Sequence, residues 1–397
     1  MFEKIAVQQQ RAGDAENPLD IGFLVEAMLF YGRVNVVANR AALRQLVRVF
    51  GPELLLEFLT HQYFKISFER NFTGVMTENS GTPLATHVLT VAEIERQHLF
   101  DVLPPLVIDI LGRPSRARRL ARSLASHIDE VSIDTELRGR VMEDLSSPGY
   151  PLSAARTIVE TYIQGASFPA DPQFDLVPIG EGKFKVETNF DFAGFNRIYH
   201  QKIPVTHSSL DAAYILSHIM EARKMLEEAA QSGAELAVSP VYSNLTALKV
   251  ETALHLQTKS AQNISAFQDL VFDSGRSIAD AINTKSRTLH DVLAVLERAT
   301  QFREWLQSRQ PDADLVKEYF RAVTAETWID KLPSKIMRWS LFTGAGVAMD
   351  LLGAGGIGTA GGVLLATADT FLLDRIAKGW KPDQFVNGPL RRFAGES

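Results

Sequence analysis

Near its C-terminus the chain runs for 33 residues, Leu341 to Leu373, without a Lys or Arg and with only two acids, Asp350 and Asp369. Such a stretch has few options. It can cradle a phosphate with its glycines, enter a bilayer, or pack two helices closely. The glycines Gly353, Gly355 and Gly358 do spell G-x-G-x-x-G. In a dinucleotide fold, though, that turn must join a strand to a helix and be followed by further parallel strands. Here a helix-like segment is followed by the polar, Pro-containing tail "WKPDQFVNGPLRRFAGES", which leaves no room for a sheet. A nucleotide cradle is therefore not expected.

The borders of the segment fit a membrane hairpin better. Lys331, Lys335 and Arg338 precede it, Arg375, Lys378 and Lys381 follow it, and Trp339 and Trp380 stand near its two ends. Basic residues and Trp at both borders describe a hairpin whose ends emerge on one side of a bilayer. Magnitudes restrain that expectation. Leu351 to Ala368 is the longest uncharged piece after Asp350, 18 residues with six Gly. Its Leu, Ile and Val favour insertion by only about 0.3 to 0.6 kcal/mol each, against about 3 for an Asp at mid-membrane. Insertion is thus expected only under a trigger. In the soluble alternative, Gly358, Gly361 and Gly362 with Ala360 and Ala366 let two helices approach closely, offsetting the roughly 1 kcal/mol that each helical Gly costs relative to Ala. In either reading the positions that matter are Trp339, Gly344, Gly346, Asp350, Gly353, Gly355, Gly356, Gly358, Gly361, Gly362, Asp369 and Trp380.

The rest of the chain reads as a globular protein of several domains: 397 residues, 46% hydrophobic and 22% charged. A net charge of -6 offers no global attraction for nucleic acid or anionic lipid, so such binding must come from local patches. The absence of Cys rules out disulfides, thiol nucleophiles and thiolate metal sites. The N-terminus lacks the apolar core of a secretory signal, which places the chain in the cytoplasm or at the inner face of the membrane.

Periodicity suggests a predominantly α-helical α+β protein. Residues 1–112 form an α/β region: a helix over "LDIGFLVEAMLFYG", a buried strand at "VNVVA", helices over "RAALRQLVRVF" and "GPELLLEFLTH", a strand at "YFKISFE", and short strands at "TGVMTE" and "ATHVLTV". Thr90 and Glu93 have the spacing of a capping box, predicting a helix through "VAEIERQHLFDVL" that Pro104 and Pro105 interrupt. Residues 113–205 connect, with a basic helix and a β-hairpin at "FDLVPIGEGKFKVETNF". Residues 206–330 read as a bundle of helices only, with Leu289, Val292, Leu293, Leu296, Ala299 and Phe302 along one seam. Residues 331–397 are the apolar Gly/Ala-rich hairpin and its tail.

Two further patterns carry candidate chemistry. In "GRPSRARRLARSLASH", Arg116, Arg118, Arg119 and Arg122 lie on the face of a helix opposite Ala117, Leu120, Ala121 and Leu124, and would meet phosphates of lipid or nucleic acid. The plain alternative is a solvated basic face neutralised by the acids of "DEVSIDTE". His87, Glu95 and His98 are the best metal-ligand set in sequence, although Glu95-x-x-His98 has no second copy of the kind a di-iron site needs. Walker, zinc-protease, calcium-loop and nucleophile-elbow motifs are missing, and no cofactor is implied.

The expectation from sequence is a non-enzymatic cytoplasmic protein that acts conditionally at a membrane through its C-terminal hairpin, in the manner of a toxin-like or defence effector. Its partners would be an anionic membrane, another protein or further copies of itself. Two other readings stand beside it: a soluble helical scaffold with the hairpin as core, and a nucleic-acid binder or nuclease using the Arg-rich helix 113–127.

Overall fold

The computed structural model describes residues 2–10, 17–78, 85–93, 98–131, 134, 136–180, 183–205, 207–249, 251–272, 278–309, 314–324 and 382–394. The segment expected to form an apolar hairpin, with all of its candidate positions from Trp339 to Trp380, lies outside them, as does Glu95. The protein is mixed α/β and predominantly helical. In chain order it runs β1 (Lys4–Val7), α1 (Ile21–Phe30), β2 (Arg33–Ala38), α2 (Arg40–Phe50), α3 (Pro52–Thr60), β3 (Lys65–Glu69), β4 (Asn71–Glu78), β5 (Thr86–Glu93), α4 (Leu99–Leu111), α5 (Pro114–Ala125) and β6 (Ile128–Val131). There follow α6 (Leu137–Leu145), α7 (Tyr150–Tyr162), β7 (Phe174–Gly180), β8 (Lys183–Thr188), α8 (Phe192–Lys202), α9 (Ala212–Ser232), β9 (Glu235–Ala237), α10 (Pro240–Ala247), α11 (Glu251–Val271), α12 (Ile278–Asn283), α13 (Leu289–Arg298), α14 (Thr300–Gln307) and α15 (Leu315–Thr324). Three short helical turns between Pro382 and Ala394 complete the described chain.

The chain divides into two compact units. One comprises Lys4–Asp20 and Arg33–Thr258; the other comprises Met1–Glu3, Ile21–Gly32 and Lys259–Ser397.

The first unit contains two sheets. A fully parallel sheet has the order β6-β3-β2-β1-β9, and an antiparallel sheet the order β4-β5-β8-β7. Both are built by alternation and burial: Val34, Val36 and Ala38 of β2 and Ile66 and Phe68 of β3 are buried, as are Phe184 and Val186 of β8. In α2, Asn39 caps by accepting from the Ala42 N–H at 3.0 Å, and Leu43, Leu46, Val47 and Phe50 form its buried stripe. Gly51, at φ 75°, then turns the chain into α3, where Pro52 takes a first-turn position that needs no N–H donor.

Three local expectations are corrected here. Thr90 and Glu93 do not cap a helix, because they lie inside β5, paired to β4 from Asn71↔Glu93 to Glu78↔Thr86. The helix starts only after His98, and it runs through Pro104 and Pro105 rather than stopping at them, ending at Gly112 in the left-handed conformation. The stretch after Ser208 is not purely helical either. Its "ELA" is β9, whose Leu236 and Ala237 pair with Ala6 and Val7 of β1.

The second unit is helical throughout its described residues. Its core is aromatic: Phe302 stacks on Phe267, Trp305 and Phe385 with centroids 5.0 to 5.9 Å apart, and Phe30 meets Phe267 and Phe302 edge-on. The predicted seam is buried from Val292 to Phe302, but it spans two helices, since Ala299 ends α13 and Thr300 begins α14. Where α1 crosses α12, a Cβ on Gly22 would fall 2.4 Å from the Ala279 carbonyl oxygen, so only Gly fits. Glu26, one turn on, accepts from the Gln268 side chain at 2.9 Å and from the Ala279 N–H at 3.1 Å.

Candidate functional site: an arginine-lined groove and a buried lysine

Two features of the first unit stand out. The earlier in sequence is the antiparallel pair α4–α5. Ala117, Ala121 and Leu124 bury one face of α5, which turns its arginines outward, as the spacing predicts. Arg116 is spent on Glu53, its guanidinium 3.0 Å from the carboxylate. Among the described residues Arg118, Arg119 and Arg122 have no ion-pair partner. Three of the four acids expected to neutralise them serve elsewhere: Glu130 pairs with Arg70 at 3.3 Å, and Asp134 and Glu136 pair with Arg140.

Arg118 and Arg122 instead flank a cavity of about 400 Å³, whose lining is completed by Leu99, Phe100, Pro104 and Ala121. Small-molecule sites run from about 300 to 1,000 Å³. Phe100 is 70% exposed, an unusual setting for a large aromatic side chain. Pro104 has no N–H, so the Phe100 carbonyl lacks the donor that the next helical turn would supply. The groove therefore offers two cations and an apolar floor.

The mouth is fixed from below. Glu130 at the end of β6 accepts the Leu99 N–H at 2.8 Å and so caps the N-terminus of α4. The Arg70 guanidinium, just past β3, lies 2.7 Å from His98 Nδ1. His98 lies against Arg70 and 3.4 Å from the Glu130 carboxylate, while Glu95 of the expected metal set is outside the described residues. His87 is 6% exposed on β5, beside Phe184, with Thr77 Oγ1 3.1 Å from its Nδ1. Burial lowers its pKa against the opposing pull of Asp211. Among the described residues no group of three or more His, Cys, Asp or Glu is placed to hold a metal ion.

The second feature escaped the sequence. Along α9, Glu221, Lys224 and Glu228 occupy positions i, i+3 and i+7, which on a lone helix read as a solvated face. They lie instead against the carboxyl edge of the parallel sheet. Lys224 Nζ is 2.7 Å from Glu69 Oε1 at the end of β3 and 3.0 Å from Glu221 Oε1. Thr73 Oγ1 of β4 donates to Glu221 Oε2 at 2.7 Å, and Gln8 Nε2, just past β1, donates to Glu228 Oε2 at 3.1 Å. One helix is so tied to three strands of two sheets. Burial works against the Lys224 charge, but the flanking Glu221 and Glu69 carboxylates outweigh it and hold the pKa above the usual lysine range. Burial, reinforced by the Glu69 carboxylate, pushes the Glu228 carboxyl up to about 9, so at neutral pH it carries a proton. Glu221 is held low: burial would raise it, but the Lys224 ammonium and the Thr73 hydroxyl prevail.

The same helix builds a second polar layer on its other flank. Arg140 of α6 grips Glu227 with Nε and Nη2, both at 2.8 Å, while Arg223 reaches Asp144 at 3.2 Å. Further toward its N-terminus, His218 Nε2 lies 3.1 Å from the Tyr162 hydroxyl and its Nδ1 3.0 Å from the Tyr214 carbonyl; burial lowers its pKa to about 4.

No known protein family matches the chain, and neither a curated protein nor a solved structure is similar to it. Among the described residues no helix is long and apolar enough to cross a membrane.

Proposed function

We propose that the protein acts at an anionic membrane surface, without catalysis, and that it reaches that surface through α4–α5. One observation carries the reading: Phe100, 70% exposed, stands in a groove with Arg118 and Arg122, neither of which has an acidic partner among the described residues. Peripheral binding to acidic bilayers combines these two ingredients, an inserted aromatic and basic residues worth about 1 kcal/mol each near the surface. Arg119 and Arg113, exposed on the same hairpin, extend the basic surface. The Leu341–Leu373 segment fits this setting as the part that a trigger would commit to the bilayer once α4–α5 has brought it near.

Co-flotation of the full chain with vesicles tests the proposal. Binding is expected to vesicles containing phosphatidylglycerol, to be absent with phosphatidylcholine alone, and to weaken as salt rises through one Debye length of screening. Arg118→Glu/Arg122→Glu should abolish it in a protein of unchanged thermal stability. Equal binding to neutral vesicles, or none to either, overturns the reading.

A further inference from the structure

We infer that the α4–α5 groove is a seat for one phosphate-bearing lipid, with the phosphate held between Arg118 and Arg122 and the start of its hydrocarbon on Leu99, Phe100 and Pro104. The inference rests on the membrane reading for its setting, but it asks more of the site: recognition of a single molecule rather than attraction to a charged plane.

The geometry distinguishes the two. Surface attraction needs only cations facing solvent, and Arg113 and Arg119 meet that need. Arg118 and Arg122 differ in lining a cavity of about 400 Å³. They stand one turn apart, about 5 to 6 Å between Cβ atoms, a separation that lets two guanidinium groups share the oxygens of one phosphate. Ala121, buried and small, keeps the floor between them open. A bulky side chain there would fill the seat. Across the groove the lining turns apolar, so a ligand that satisfies both walls must join an anion to a hydrocarbon. Inorganic phosphate would meet the arginines and leave Leu99, Phe100 and Pro104 uncovered. A choline headgroup would bring its own cation against theirs.

Titration calorimetry on the full chain with lipid kept below its micelle concentration tests this. Dihexanoyl phosphatidic acid should bind saturably at one site, dihexanoyl phosphatidylcholine at least tenfold more weakly, and inorganic phosphate not measurably at the same concentrations. Arg118→Gln/Arg122→Gln should weaken the phosphatidic acid about tenfold or more, the scale of losing charge-assisted hydrogen bonds. Ala121→Leu should do likewise by occupying the space while leaving every charge in place. No saturable binding, binding unchanged in Arg118→Gln/Arg122→Gln, or phosphate binding as tightly as the lipid would overturn the seat. If flotation on anionic vesicles persists when the monomer does not bind, the seat fails and the membrane reading stands. If the monomer binds and flotation is absent, the membrane reading fails and the seat stands.

Discussion

Lys224 Nζ lies 2.7 Å from Glu69 Oε1, and that contact joins the long helix α9 to the third strand of the parallel sheet. Both side chains are about nine-tenths buried, at 11% and 10% exposure. Removing the cation alone takes from Glu69 and Glu221 the ammonium that both contact. Lys224→Met is therefore expected to cost about 3 to 5 kcal/mol of folding stability, read from urea unfolding. The double variant Lys224→Met/Glu69→Gln should recover part of that loss. A single-variant cost under about 1 kcal/mol would mean that water reaches the cluster and screens it.

Glu228 gives the protein a pH dependence of unusual sign. Its folded pKa, about 9, lies above the ordinary 4.5, so between those values the folded state holds a proton that the unfolded chain has released. Stability from this group is complete below about pH 4.5 and declines as pH rises through 9, at no more than about 1.4 kcal/mol per unit. Glu228→Gln keeps a donor toward Glu69 and an acceptor for Gln8 but cannot ionise. It should be more stable than the parent at pH 8 and nearly equal to it at pH 5. The reverse order in paired melts would place an ionised carboxylate at Glu228.

In the second unit the tightest constraint is steric. A methyl on Gly22 would meet the Ala279 backbone carbonyl oxygen at 2.4 Å, with Asn283 Nδ2 at 2.7 Å as a second obstacle. Gly22→Ala must push α1 off α12, and a loss of about 1 to 3 kcal/mol is expected despite Ala's better helix propensity. A neutral or stabilising effect in denaturant titration would show that the two helices give way.

What the sequence disclosed follows how local each signal is. The strands at "VNVVA" and "YFKISFE", the helix over "RAALRQLVRVF" and the hairpin at 174–188 are written in alternation, helical period and turn residues, and they form as read. β9 is three residues long and sits between helices; only its pairing with β1, more than 220 residues upstream, makes it a strand. The Thr90–Glu93 spacing misled because the same two residue types tolerate a β-ladder, and the pairing of β5 with β4 outweighs a cap. The groove was half legible. Its arginines were visible as an amphipathic face, whereas Phe100 and Pro104 read as ordinary helix and helix-breaker until α4 lay beside α5. The buried lysine was not legible at all, since Gln8, Glu69, Thr73 and Lys224 meet only in three dimensions.

That contrast separates arginines that hold the fold from those that face outward. Arg140 is 27% exposed and bidentate to Glu227, with Asp134 and Glu136 as further partners. Arg118 and Arg122 are exposed and lack acidic partners among the described residues. Arg140→Ala leaves Glu227, 17% exposed, with Arg223 as its remaining cation and should cost about 1 to 3 kcal/mol after allowance for partial solvent screening. Arg118→Ala and Arg122→Ala should each fall within about 0.5 kcal/mol of the parent. Thermal melts of the three variants decide it: a large loss at Arg118 or Arg122 would make α5 a structural face, and vesicle flotation with those variants would then report misfolding instead of lost contact.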